Sequence, residues 1–464
     1  MKPPPITPEL LARYNISGPR YTSYPTADRF HADFAESHYL AALQQRQAQQ
    51  QTAQGAQPLS VYVHLPFCQS LCYFCACNKI VTQRTDAATS YLQYLQREID
   101  LQAAHLGSKQ SVSQLHLGGG TPTFLNDAQL QQLMSAIRQA FTLLPDGEYS
   151  IEVDPRTVDA QRLQHLAQLG FNRISFGVQD FDSGVQQAIH REQPAQQVAA
   201  LVHAARAAGF KSINLDLIYG LPLQTPTSFA ATLQQVVQLA PNRIALYAYA
   251  HLPERFKPQR RIHAHNLPAA DEKIRMLAQS LQTFREAGYI YIGMDHFALP
   301  NDALAVARQQ GRLQRNFQGY STQPDCDLIG LGVSAIGKVG NTYSQNAKTL
   351  PEYQQALDSG HLPIERGLSL NRDEQIRRAV IMAIMCQGEL NYASIEAAWQ
   401  INCQQYFAAE LEQLQQQQAQ GMVQIRPDGF SVTAQGWYFV RAVAMLFDRH
   451  LQAARRQAQF SKIL

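Results

Sequence analysis

Charge is scarce in this 464-residue chain: Asp, Glu, Lys and Arg make up 16% of it, against about 25% in ordinary globular proteins. The formal net charge is only +3, too little for the strongly basic stripe that marks a nucleic-acid-binding protein. No apolar run approaches the roughly 20 residues that span a bilayer. The longest, Ala379 to Cys386, has the length of a helix core. The amino terminus, Met1-Lys2-Pro3-Pro4-Pro5, carries no apolar signal segment behind its positive charge, so the expected location is the cytoplasm. Cysteine is also sparse, with seven residues, and in a reducing compartment they are not a disulfide framework.

What is present begins with glutamine, dense from Gln44 to Gln57 and from Gln413 to Gln420. Both patches read as solvated helix faces or linkers, because they hold too little apolar surface to order themselves. The 45% of hydrophobic residues and the chain length support a large core and two or three domains.

From about residue 59, short apolar runs alternate with longer helix-patterned stretches. The runs are Leu59 to Val63, Gln114 to Leu117, Tyr149 to Val153, Arg173 to Phe176, Ser212 to Ile218 and Arg243 to Tyr249. Between and after them the apolar spacing predicts helices near 88–106, 127–140, 157–169, 195–208, 228–239 and 270–287. Capping signals are read at Thr89 or Asp86, Asp127, Thr157, Pro194 and Thr227. Such alternation means parallel strands with crossover helices, and six units allow either a partial barrel or an open sheet. His64 to Cys68, Gly118 to Thr121, Glu152 to Pro155, Gly177 to Asp180 and Leu215 to Gly220 all fall at or after carboxyl ends of predicted strands. That is where α/β folds place their active sites.

Residues 1–40 read as an extended arm, either a strap packed by its aromatics or a flap that closes over a substrate. After about 365 the pattern turns helical (Arg372 to Cys386, Tyr392 to Trp399, Cys403 to Gln418), followed by a hairpin about Pro427-Asp428-Gly429 and another helix. The expected divisions are thus an arm over 1–40, a catalytic domain over 41–364 and a mainly helical domain with a small hairpin over 365–464. Helices before a hairpin resemble a winged helix, but ten Lys and Arg against nine Asp and Glu over 365–464 speak against a DNA reader, which needs several unpaired cations on one face.

The strongest chemical signal is Cys68-x3-Cys72-x2-Cys75. Three thiolates on one tight loop can each bind one iron of a [4Fe-4S] cluster, which leaves the fourth iron open to a small ligand. A zinc site is the alternative; it prefers two separated ligand pairs and would draw its fourth ligand from Cys77 or His64. Pro66, Gln69 and Asn78 mark the segment as a loop, which disfavours buried free thiols.

This spacing, with Phe74 before the last cysteine, resembles the signature of the radical S-adenosylmethionine (SAM) enzymes, and Gly118-Gly119-Gly120-Thr121 resembles their glycine motif. The order of segments across nearly the whole chain is similar to the oxygen-independent coproporphyrinogen III oxidase family of haem biosynthesis. It is carried by Gly18 to Thr26, the cysteine loop extended to Cys77, Gly118 to Thr123, Glu152 to Pro155, Gly177 to Phe181, Asp216 to Pro222 and Arg315 to Tyr320. The resemblance implies a partial (βα)6 TIM-like barrel of the radical SAM type, an α/β fold with an amino-terminal arm and a mainly helical carboxyl-terminal domain. The implied reaction converts two propionates of coproporphyrinogen III to vinyl groups with loss of two CO2, giving protoporphyrinogen IX. One electron enters the cluster, and SAM is cleaved to methionine and a 5'-deoxyadenosyl radical that takes a hydrogen from the propionate.

The same resemblance implies the roles. Cys68, Cys72 and Cys75 would hold the cluster. Tyr62, Gly119, Glu152 and Ile336 would line the SAM bound to it, and Phe74, Gly120, Thr121, Gln179, Arg191, Asp216 and Ala250 would contact a second SAM. Cys77 and Tyr62 are the catalytic candidates. For Glu152 and Asp216 the plain alternative is a helix cap or a strand-end ion pair. Arg20, Arg191 and Arg315 are positional candidates for the substrate propionates, and His116 reads as a core histidine. Met294 to Phe297 either contacts substrate or finishes the sheet. Implied partners are coproporphyrinogen III and an electron donor such as a flavodoxin or ferredoxin system, with no nucleic acid, no membrane span and a monomeric state. The nearest rival is a related haem chaperone, which usually lacks the fourth cysteine and the arm, and carries a His-Asn pair where this chain has Arg315-Asn316.

Overall fold

The computed structural model describes residues 7–14, 16–52, 57–107 and 109–453. In chain order its strands are β1 (Leu59–Leu65), the two-residue β2 (Phe67–Cys68) and β3 (Ile80–Val81), β4 (Gln110–Gly119), β5 (Phe141–Val153), β6 (Arg173–Gln179), β7 (Ser212–Tyr219), β8 (Arg243–Ala248), β9 (Ile290–Gly293) and β10 (His296–Ala298). They continue with β11 (Gln314–Asn316), β12 (Gly319–Ser321), β13 (Leu328–Leu331), β14 (Ile336–Val339), β15 (Thr342–Asn346), β16 (Ile364–Ser369), β17 (Glu389–Asn391), β18 (Val423–Arg426) and β19 (Gly429–Val432). Twelve of them form one sheet, ordered β16-β15-β14-β13-β1-β4-β5-β6-β7-β8-β10-β9. The six strands read from sequence are β1 and β4 to β8, adjacent in chain order and parallel. This is the six-unit βα arrangement. The structure adds β13, a seventh parallel strand on the far side of β1, whose four residues are too short to stand out in the sequence.

The helices that alternate with these strands are, in chain order, α3 (Asp86–Leu106), α4 (Asp127–Ala140), α5 (Ala160–Gln168), the short α6 (Ser183–Ala188), α7 (Ala195–Ala207), α8 (Pro226–Leu239) and α9 (Ala270–Glu286); α1 (Pro8–Arg13) and α2 (Glu36–Thr52) precede them. Three predicted caps are displaced by one or two residues. Asn126, not Asp127, caps α4 in a reciprocal pair with Gln129, Asp159 replaces Thr157, and Thr225 replaces Thr227. An N-cap oxygen must reach the backbone N–H two or three residues on, so Asp127, already inside the helix, offers its charge to the dipole instead. The capping residue of α3 is Thr85, without a side-chain bond, and Pro194 precedes α7 as read.

Strand alternation sorts the side chains into two faces. Val61, Val63, Leu65, Leu115, Leu117, Ile151, Val153, Ile174, Phe176, Leu215 and Leu217 are buried in the main core. The intervening positions are largely polar, and Tyr62, His64, His116, Ser150, Glu152, Ser175, Asn214 and Asp216 hydrogen-bond with one another across the other face.

The arm is not uniformly extended, because α1 and the start of α2 lie within it. Its aromatic segment is a strap. Tyr21 and Tyr24 are buried; the Tyr21 hydroxyl donates to Asp448 Oδ2 (2.9 Å), the Tyr24 hydroxyl accepts from the Arg449 N–H (3.2 Å), and Arg441 Nη1 donates to the Gly18 carbonyl (3.2 Å). Gln44, Gln45 and Gln49 are exposed on α2, and most of Gln413 to Gln420 lies exposed on a helix over Ala408–Ala419; residues 53–56 of the first glutamine patch lie outside the described residues. The predicted helix from 403 to 418 is broken at Phe407, and the carboxyl-terminal hairpin β18-β19 gains β17 as a third strand. Among the described residues no helix is long and apolar enough to cross a membrane.

Glu98 of α3 ties the helix layer to the sheet. It is fully buried and accepts hydrogen bonds from the Gly332 N–H (2.7 Å), Asn346 Nδ2 (2.6 Å) and the Tyr353 hydroxyl (2.6 Å). Burial outweighs these three donors and pushes its carboxyl up to about 7. A folded-state value above the unfolded one favours the neutral form, so this contribution to stability is full below the unfolded carboxyl value and declines as pH rises toward 7. The difference amounts to about 3 kcal/mol. Thermal melts of Glu98→Gln and the parent chain between pH 5 and 8 are expected to converge at the acid end, with the parent losing ground as pH rises.

Candidate active site

β1 ends at Leu65 and the chain turns through Pro66 and Phe67 into the cysteine loop. The end of β4 crosses directly over this turn: the Gly120 N–H donates to the Leu65 carbonyl (2.8 Å) and the Thr121 N–H to the Phe67 carbonyl (2.8 Å). A Cβ on Gly120 would lie 2.7 Å from Pro66 and Phe67 backbone atoms, and one on Gly119, whose φ is +110°, would lie 2.6 Å from the His64 ring. Glycine is required here by the chain's own crossing, before any ligand is considered.

The three thiols of Cys68, Cys72 and Cys75 face one cavity of about 560 Å³. Thr121 Oγ1 donates to Cys68 Sγ (3.5 Å), while Arg191 Nη1 (3.4 Å) and Arg156 Nη2 (3.6 Å) both donate to Cys72 Sγ. Asp154 holds these two guanidiniums, at 3.0 Å from Arg191 Nη1 and 2.7 Å from Arg156 Nη2. Burial raises the Asp154 carboxyl, but the charge of Arg191 and the bonds from Arg156 outweigh it, and the net shift is downward. Burial pushes the Cys68 thiol up to about 11. The Cys77 thiol donates to Cys75 and with Lys79 draws Cys75 down to about 6, while Cys77 itself rises well above the usual thiol range because it carries the shared proton.

Glu152 and Asp216 project into the same cavity from β5 and β7. Glu152 accepts from the Gly119 N–H (3.3 Å) and pairs with His116 Nε2 (3.1 Å); burial raises its carboxyl, but His116, Gly119 and His64 bring it below the usual value. Asp216 accepts from Ser175 Oγ (2.8 Å) and Asn214 Nδ2 (2.8 Å), and burial still pushes it up to about 6. Asp216 therefore takes up its proton closer to neutral pH than Glu152 does. At the end of β6 a register shift between Gly177 and Gln179, with Gln179 at φ +69°, re-aims the Gln179 side chain into the cavity. Bulges serve that purpose beside active sites.

The fold thus gathers Cys68, Cys72, Phe74, Cys75, Cys77, Gly119, Gly120, Thr121, Glu152, Gln179, Arg191 and Asp216 around one cavity. Tyr62, Ala250 and Ile336 stand outside its lining. Tyr62 stacks on His116 (centroids 5.8 Å, 17°), one residue removed from Glu152. Ala250 follows Tyr249, whose N–H donates to the Tyr219 carbonyl, and Ile336 opens β14 beside the Phe30 and Tyr343 cluster. His116 is not a core histidine: it bridges Ser150 and Glu152 on the polar face. Met294 to Phe297 finishes the sheet, with Met294 and Asp295 in the turn between β9 and β10 and His296 and Phe297 opening β10, and Asp295 pairs with Arg20. Sequence reasoning gave no role to Asp154, Arg156, Ser175 or Tyr247, all in the lining. For Ser175 the signal was available as a polar residue at alternate spacing in an apolar strand; for Arg156 there was none.

Residues 62–236 match the Radical SAM superfamily and residues 370–439 the HemN C-terminal domain. The chain is 49% identical to the oxygen-independent coproporphyrinogen III oxidase of Pseudomonas aeruginosa, with 98% of each chain covered. It is 47% identical to the enzyme of the same name from Escherichia coli K12, again over 98% of each. The chain belongs to the oxygen-independent coproporphyrinogen III oxidase family. A solved structure of coproporphyrinogen III oxidase from Escherichia coli, described as a radical SAM enzyme, superimposes with a TM-score of 0.88 at 46% identity, covering 94% of this chain and 100% of that one.

The cofactors of this family are a [4Fe-4S] cluster and SAM, and the residues present fit them. Three thiols ring one cavity, with hydroxyl and guanidinium donors aimed at two of the sulfurs. That suits a polynuclear thiolate cluster, whose irons are spread apart and whose sulfurs take hydrogen bonds. Replacing Cys68, Cys72 or Cys75 singly by Ser is expected to abolish the cluster after anaerobic reconstitution, while Cys77→Ser retains it. Iron and sulfide analysis with visible absorbance checks this, and a full cluster in any of the first three variants contradicts the ligand assignment.

Proposed function

We propose that this chain converts coproporphyrinogen III to protoporphyrinogen IX without oxygen, turning two propionates into vinyl groups with loss of two CO2. The observation that carries this reading is the convergence of the three thiols, the glycine crossing, Glu152 and Asp216 on one cavity in a chain aligned end to end with that family. When bound, the cluster and SAM supply one-electron cleavage of SAM and abstraction of a propionate hydrogen.

The protein's own work is to hold, orient and shield. Cys68, Cys72 and Cys75 hold the cluster, and Glu152, with Tyr62, Gly119 and Ile336, receives the SAM on it. Ionised Glu152 suits an ammonium or ribose hydroxyl. Phe74, Gly120, Thr121, Gln179, Arg191, Asp216 and Ala250 receive a second SAM, with Arg191 facing its carboxylate. Cys77 and Tyr62 serve catalysis beside the cluster. For the substrate propionates Arg20 and Arg315 stand together: Arg315 Nε donates to the Arg20 carbonyl (3.2 Å), and Arg20 lies over the ring of Tyr247 in the cavity wall (5.3 Å). Arg315 is 4% exposed and its Nη1 has no hydrogen-bond partner, a buried cation left open to an anion. The reading includes a flavodoxin or ferredoxin system as donor, a cytoplasmic location and a monomer.

The deciding assay is anaerobic: reconstituted protein, reductant, SAM and coproporphyrinogen III with cell extract, followed for 5'-deoxyadenosine and protoporphyrinogen IX. Both are expected. Tight haem binding without either product overturns the reading in favour of a chaperone. In the same assay Arg315→Gln is expected to lower kcat/KM for coproporphyrinogen III about 10- to 100-fold, the loss of one charge-assisted contact, with unchanged cluster content.

A further inference from the structure

The loop that carries the cluster ligands is braced from outside by residues 251–267. Tyr73 and Phe74, between Cys72 and Cys75, pack in a small apolar cluster with Ile262 and Leu267 of that segment. Gln259 Nε2 donates to the Phe74 carbonyl (3.0 Å). The Arg261 guanidinium lies over the Tyr73 ring (5.2 Å) and donates to its hydroxyl (3.4 Å).

In a chain so poor in charge, this segment is unusual. It carries Arg255, Lys257, Arg260 and Arg261 against one acid, Glu254, and all four cations are exposed. None of them pairs with a carboxylate among the described residues: Arg255 lies over Phe256 (5.5 Å) and Arg260 donates to the Pro253 carbonyl (3.0 Å). The charges are not consumed in holding the fold together.

Apolar surface accompanies them. Of the five large hydrophobic side chains exposed on the described residues, three flank this segment and the cysteine loop: Val81 at 43%, Leu223 at 50% and Leu252 at 38%. Val81 is the register partner of Cys68 in the short β2-β3 pairing. The Leu223 N–H donates to the Asn266 carbonyl (2.8 Å), and Leu252 precedes the basic run. Unpaired cations beside exposed apolar residues have the composition of a protein interface in which charge steers encounter and apolar contact holds it.

We propose that the exposed segment carrying Arg255, Lys257 and Arg260, with Leu252 and the adjoining Leu223, is the docking surface for an acidic one-electron carrier protein. The proposal rests on the cluster-bearing function given above. One electron leaves the carrier and enters the cluster, so the carrier is oxidised and the cluster reduced by one electron, with no atom transferred. The path is short because the segment touches the backbone between two of the cluster's ligands.

The test uses the cluster-loaded, full-length protein and flavodoxin as the probe. Binding of oxidised flavodoxin by calorimetry, and cluster bleaching by reduced flavodoxin in a stopped-flow instrument, are measured at low and high salt. The Arg255→Glu, Lys257→Glu, Arg260→Glu variant is expected to bind flavodoxin and accept its electron about 10- to 100-fold less well at low salt, and to lose the steep salt dependence of the parent. Reduction by photoreduced deazaflavin, a small molecule that needs no docking face, is expected to be unchanged. Should charge reversal lower iron loading, the corresponding triple Gln variant carries the same comparison. Equal flavodoxin affinity, rate and salt dependence in variant and parent overturn the proposal, as does a parent that binds duplex DNA at this face in preference to flavodoxin. Failure of SAM cleavage with deazaflavin in the parent counts against the functional reading alone, because flavodoxin binding is read without turnover.

Discussion

The site depends above all on the register of the parallel ladder from β1 to β8. Each strand contributes apolar side chains to the helix-covered face and polar ones to the other. A slip of one residue in any strand would exchange the two sets, burying Glu152 or Asp216 in the core and turning Ile151 or Leu217 into the cavity. The same ladder ends β4 where it must cross the turn after β1, so the position of the cysteine loop and of the glycines over it follow from one constraint.

Onto that scaffold the chain sets compensated charge. Asp154 joins Arg156 and Arg191, and both guanidiniums reach Cys72. A buried guanidinium is costly unless paired, and here the carboxylate supplies the partner, the sulfur receives one N–H group from each arginine, and the Gly177 carbonyl accepts from Arg191 Nε and Nη2. Glu152 and Asp216 illustrate the converse. They have similar chemistry, but His116 and the Gly119 N–H hold the first below the usual carboxylate value, whereas burial pushes Asp216, hydrogen-bonded by Ser175 and Asn214, up to about 6.

The arm and the carboxyl-terminal region act together. Tyr21 to Asp448, Tyr24 to Arg449 and Arg441 to Gly18 tie residues more than 400 positions apart, and the same strap delivers Arg20 to Asp295 and Tyr247 at the edge of the cavity. Packing of aromatics that the sequence marks as unusual is thus coupled to the placement of a cation near the site.

The cysteine spacing, the glycine triplet and the six alternating units were legible in the sequence because each depends on local order: ligands on one loop, a turn that admits no side chain, and hydrophobic period. Helix existence was legible for the same reason, and cap positions less so, since a one-residue change decides whether a side chain reaches a backbone N–H. The roles of His116, Asp154, Arg156 and Ser175, the seventh parallel strand and the pairing of Arg20 with Asp295 came only from tertiary structure. Partners such as Cys72 and Arg191 lie 119 residues apart, and no local periodicity encodes which strand ends meet across a sheet. What the sequence alone determined was the kind of chemistry the chain carries. Which charges are paired, which are left open and which carboxyl holds its proton more tightly was decided by the burial and neighbours that folding brings.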